Sequence, residues 1–100
     1  MAKNERLPSI HSGEILREEF LAPLCMSSHQ LALALRVPAT RINDIVNEKR
    51  GITAGTALRL SRYFGTTAKF WLNLQASYEL GLQDRLGKAV MREVLPRSAA

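Results

Sequence analysis

The sequence predicts an all-α protein: five helices around one core, and a stretch after Gly81 that could form a short sixth. Three observations carry this. Apolar residues recur three and four positions apart along most of the chain, and no run alternates apolar with polar residues as a half-buried strand would. Capping residues, prolines and glycines divide the periodic segments at helix-sized intervals. The chain has 100 residues, 46% of them hydrophobic and 23% charged, which suits one globular core rather than two.

Residues 1–12 are polar, include Pro8 and read as a tail. The first helix begins at Gly13. "GEILREEFLAPL" spaces Leu16, Phe20 and Leu24 by four, with Pro23 expected to end it. In "SSHQLALAL", Ser27 followed by Gln30 forms a capping box, and Leu31 with Leu35 forms the apolar stripe. Pro38 interrupts this second helix and suits the start of a third, because its ring presets φ and it lacks an amide hydrogen. Ile42, Ile45 and Val46 face inward on that helix, and "NEKRG" closes it.

Thr53 is the expected cap of the fourth helix, "AGTALRLSRYF", with Ala57, Leu60, Tyr63 and Phe64 inward and Gly65 at its end. Thr67 caps the fifth, where Phe70, Trp71, Leu74 and Tyr78 recur at three and four and Gly81 weakens or ends the helix. Beyond it, Leu82, Leu86, Val90 and Val94 step by four, but Gly87 costs about 1 kcal/mol against alanine in a helix. The chain thus divides into a tail (1–12), a domain (13–80) and an extension (81–100).

Charge sharpens the reading. The net charge is +5, and it is concentrated: residues 1–35 sum to −1, residues 36–62 to +4 and residues 63–100 to +2. A basic centre of this kind is the footprint expected of a phosphate-backbone binder. The short second and third helices, joined by a few residues, have the form of a helix-turn-helix. Ala32 supplies the small residue where the two helices cross, Val37 the apolar residue of the turn, and Ile42 and Ile45 the inward residues ten and thirteen positions beyond Ala32.

Residues 13–80 therefore resemble the Cro and phage-repressor (XRE-type) helix-turn-helix domain. More narrowly, "GEILREEFLAPL", "RINDIVNEKRGITAGTALRLSRYFGTT" and "FWLNLQ" are similar to the HigA (VapI-type) antitoxins of bacterial toxin–antitoxin modules. The resemblance implies a dimer that binds a palindromic operator in double-stranded DNA, represses its own operon and neutralises a HigB/RelE-type mRNA endonuclease toxin. A stand-alone transcriptional regulator without a toxin is the other reading. One position departs from the pattern: Arg36 stands where such turns usually carry glycine in a left-handed conformation.

With the third helix in the major groove, Ala39, Thr40, Arg41, Asn43 and Asp44 form its outward, base-reading set. Asn43 can pair with both N6 and N7 of adenine, and Thr40 can donate, accept or touch a thymine methyl. Arg41 reads guanine or grips a phosphate. Asp44 accepts from a cytosine amine or pairs with Arg41. The resemblance adds Ser28 and Asn47 as phosphate contacts, and Arg36, Lys49 and Arg50 join them as backbone-positioning cations. Trp71, Leu74, Tyr78, Leu82 and Leu86 are the expected dimer surface, since the segment after Gly81 has little core of its own to enter.

Other classes are excluded on chemistry. His11, His29 and Cys25 lack zinc-ligand spacing, no acid–base set converges, and neither a cofactor nor an enzymatic function is expected. The aromatic residues at helical spacing read as core or dimer surface rather than a ligand box. Glu14, Glu18 and Glu19 form a solvated face or meet a basic toxin. No apolar run reaches the roughly 20 residues of a membrane span, "MAKNERLPSI" has no export pattern, and a lone cysteine fits a reducing compartment, so a cytoplasmic location is expected.

Overall fold

The computed structural model describes residues 10–99, without the side chains of 84–86 and 99, and is all-helical within that range. Helix α1 opens with Ser12–Ile15, passes through a π-helical stretch at Leu16–Leu21 and closes with Ala22–Leu24. Four further helices follow: α2 (Ser28–Leu35), α3 (Ala39–Val46), α4 (Ala54–Phe64) and α5 (Ala68–Glu93), with a 3₁₀ turn at Arg97–Ala99.

His11 and Ser12, expected within the tail, belong to the fold. His11 caps α1, its Nδ1 accepting from the Gly13 amide at 2.8 Å, and both His11 and Ser12 are buried. Nor does α1 follow the simple four-residue stripe. Leu16 and Leu21 are buried, whereas Leu24 is 57% exposed. The π stretch explains the exchange: its bonds span five residues, as in Ala22 N–H to the Arg17 carbonyl, so the position five after Leu16 returns to the core. Pro23 sits inside the last turn of the helix rather than ending it.

The core joins Leu16, Leu31, Ile42, Ile45, Leu60 and Trp71, each fully buried. Phe20 stacks at 4.9 Å from both Phe64 and Trp71. Trp71 donates from Nε1 to Thr66 Oγ1 at 2.7 Å, so its polar edge is satisfied as well. It therefore cannot form the dimer surface expected of it, because the protomer's own core encloses it. Tyr63, expected inward, is 44% exposed on α4.

The residues expected as a sixth helix are helical, but they continue α5 rather than starting a new element. Gly81 and Gly87 both lie inside this single 26-residue helix. The cost of two glycines, about 1 kcal/mol each, is spread over seven turns and does not break it. Beyond Leu80 the helix exposes Leu82, Val90 and Met91.

Candidate nucleic-acid interface

The capping box predicted at Ser27 is formed: Gln30 N–H donates to Ser27 Oγ at 3.0 Å, and Ser27 N–H to Gln30 Oε1 at 2.8 Å. It fixes the start of α2, with Ser28 half-buried in the first turn. Ala32 is buried where α2 crosses α3, and Val37 packs partly into the core from the turn. Ile42 and Ile45 are both at 0% exposure. The inward half of the motif holds α3 by its apolar face.

Arg36 takes the left-handed conformation itself, with φ 61° and ψ 48°. Its amide donates to the Leu33 carbonyl at 3.2 Å and the Val37 amide to the Ala32 carbonyl at 3.1 Å, closing a Schellman turn that usually employs glycine. The turn keeps its usual shape and accepts the strain of a side chain, about 1 kcal/mol. Arg36 itself is exposed. The same ending recurs at Cys25, with φ 53°, and at Glu48, with φ 63°.

Of the predicted base readers, Thr40 and Asn43 are exposed and Arg41 and Asp44 half-buried on the outer side of α3. Ala39 leans against the core. Asn47, Lys49 and Arg50 are exposed just beyond the helix, so every expected contact is exposed or half-buried. Asp44 pairs with Arg50 at 3.8 Å rather than with Arg41, which leaves the Arg41 guanidinium unpaired among the described residues.

Four groups that position this surface have no local pattern in the sequence. Arg17 donates from Nη1 to the Val46 carbonyl and lies 3.4 Å from Glu48, fastening α1 to the C-terminal end of α3. Hydrogen bonding to Glu18 and then Glu48 holds the Arg17 proton above its already high ordinary value. Gly13 touches the same end of α3: an added Cβ would fall 1.7 Å from the Ile45 carbonyl oxygen, so only glycine fits there. Gln75, buried on α5, accepts at Oε1 from Ser12 Oγ at 2.6 Å and from the Ile52 amide at 3.1 Å, and donates to Glu79 at 3.0 Å. Arg59 on α4 donates to the Leu35 carbonyl at 2.7 Å and so braces the end of α2. A glutamine among Trp71, Leu74 and Tyr78 was the one visible hint of the third group.

His11 lies in the same junction, 4.7 Å edge-on from the Tyr78 ring. Burial lowers its pKa from 6.5, against smaller opposing effects of Glu48 and Glu79. Its capping role requires the neutral ring, because Nδ1 must accept. Leu74 and Tyr78 are half-buried and Leu82 is 39% exposed, whereas the Leu86 side chain lies outside the described residues. No helix among the described residues is long and apolar enough to cross a membrane. No cluster of potential metal ligands occurs among them either.

The helix-turn-helix family HTH_3 matches residues 18–71. "Virulence-associated protein I" of Dichelobacter nodosus is 54% identical over 96 residues, covering 96% of this chain and 87% of that protein. "Antitoxin HigA-1" of Vibrio cholerae is 36% identical over 80 residues, covering 80% and 74%. Among solved structures, the Pseudomonas aeruginosa antitoxin HigA, solved with the higBA promoter, superposes with a TM-score of 0.83 at 50% identity, covering 89% of this chain and 98% of that one. The family is one of helix-turn-helix regulators and antitoxins, not an enzyme family. With its motif intact and its relatives matched along most of their length, this chain belongs to the HTH_3 helix-turn-helix family and, within it, to the HigA antitoxins.

Proposed function

We propose that this chain is a cytoplasmic antitoxin that binds a palindromic operator as a dimer, represses its own operon and neutralises a HigB/RelE-type toxin by direct binding. The observation that carries the DNA half is α3 itself. Ile42 and Ile45 are wholly buried while Thr40 and Asn43 stand exposed between a basic turn and a basic loop. A protomer so built can insert α3 into one major groove, and a two-fold dimer reads half-sites about one helical turn apart. A relative solved with its promoter DNA supports the DNA-binding reading.

Asn43 and Arg41 read bases, with Thr40 beside them. Arg50 and Asp44 act as a pair whose net charge is near zero, so Lys49, Arg36 and the helix-end groups at Ser28 and Asn47 provide the backbone contacts. The dimer forms through α5, with Leu82 and the exposed apolar residues after it in place of Trp71. Asn43→Ala is expected to lose about 1–3 kcal/mol of discrimination at one base pair, read as a blurred operator footprint with an unchanged melting curve. An unchanged footprint in both Asn43→Ala and Arg41→Ala would remove the reading. Co-expression with the adjacent gene tests the toxin half: relief of growth arrest and co-purification support it, and neither result leaves a stand-alone regulator.

A further inference from the structure

A groove of about 520 Å³ opens where the end of α2 meets α4, and of the residues assigned to DNA above only Arg36 lines it. Arg36, Arg59 and Arg62 line it together with Leu58 and Tyr63. No acidic side chain lines it, and none of the three arginines forms an ion pair among the described residues. The two acids between residues 20 and 78, Asp44 and Glu48, are both paired elsewhere. Three guanidiniums collected without counter-charge repel one another, and an anion from outside is what relieves that repulsion.

The groove is also preorganised. Arg59 is held by its bond to the Leu35 carbonyl, which uses one nitrogen and leaves other N–H groups of the fork free. Arg36 is fixed in the Schellman turn, two residues before Pro38 caps α3. Arg36 thus precedes the start of α3, opposite the Asn47–Arg50 end, and the groove sets Arg59 and Arg62 beside it. We propose that Arg36, Arg59 and Arg62 form a second grip on the DNA backbone, taking phosphates of the strand that flanks the base-reading end of α3. The proposal rests on DNA binding by α3 and extends its footprint outward. Adjacency to α3 favours a phosphate backbone over an acidic protein segment, because the occupant is then already delivered to the groove.

The test is titration of the full chain with a random-sequence duplex across a salt series, since each lost phosphate contact lowers the slope of log K against log[salt] by about 0.9. Arg62→Gln, which breaks no bond of the fold, should lower the slope by about one. Arg59→Gln/Arg62→Gln should lower it by about two, while Lys88→Gln/Arg92→Gln on the far half of α5 leaves it nearly unchanged. A wild type that binds while Arg62→Gln keeps its slope, or loses no more than the α5 control, overturns the proposal and leaves the groove to an acidic protein segment. A wild type that fails to bind duplex at any salt removes DNA binding itself, and the proposal with it.

Discussion

The two halves of α5 share one helix and contrast in nearly everything else. From Ala68 to Tyr78 the helix is held from outside: Trp71 fills the core, Gln75 ties three chain segments together, and Thr67 caps the first turn by accepting from the Phe70 amide. Beyond it Leu82, Val90 and Met91 are exposed, Met91 by 79%. The first half is helical because burial requires a satisfied backbone there. The second is helical by continuation, since adding a turn to a formed helix avoids the nucleation cost that an isolated segment of that length would meet. The contrast teaches that periodicity alone does not show which apolar stripe a protomer buries and which it leaves for another surface.

The sharpest way to break that comparison is truncation of matched side chains. Trp71→Ala should destabilise the protomer by about 3–5 kcal/mol, whereas Met91→Ala should change it by under about 0.5 kcal/mol, both read by denaturant unfolding. Equal losses would mean that the second half carries as much of the fold as the first. A smaller effect of opposite sign is expected at Arg36: Arg36→Gly should stabilise by about 1 kcal/mol by relieving the left-handed backbone, while weakening DNA binding.

The smallest effect is a pH dependence. His11 has a lowered pKa in the fold, so the unfolded chain binds the extra proton first, and stability falls as pH drops through 6.5. Loss continues until the pH passes the lowered value and then levels. Thermal melts between neutral and mildly acid pH should show this decline, and His11→Asn, which keeps a capping side chain, should lose that segment of it. A profile unaltered by the substitution would place the proton elsewhere.

What could be read from the sequence was what repeats locally. Ile42 and Ile45 behind Ala32, the Ser27–Gln30 box and the outward Thr40 and Asn43 all follow from spacing within a dozen residues. The exchange of Leu24 for Leu21 could not be read, because a π stretch alters the period without a residue that announces it. Nor could the junction of Ser12 with Gln75, which joins positions 63 apart. Arg59 has no local sign of its role either, because the carbonyl it braces lies 24 positions earlier in the chain.

The three helix ends that turn left-handed on Cys25, Arg36 and Glu48 have a bearing on the lifetime of the molecule. At about 1 kcal/mol each they hold the native state about 3 kcal/mol above what glycine caps would allow, in a domain class whose whole stability is about 5–15 kcal/mol. That difference raises the population of opened chains by about a hundredfold. Where opening and reclosing outpace cleavage, a protease samples that population directly. Turnover of this protein is therefore set in part by three backbone angles, none of which touches DNA through its strain, and each can be reset by one codon.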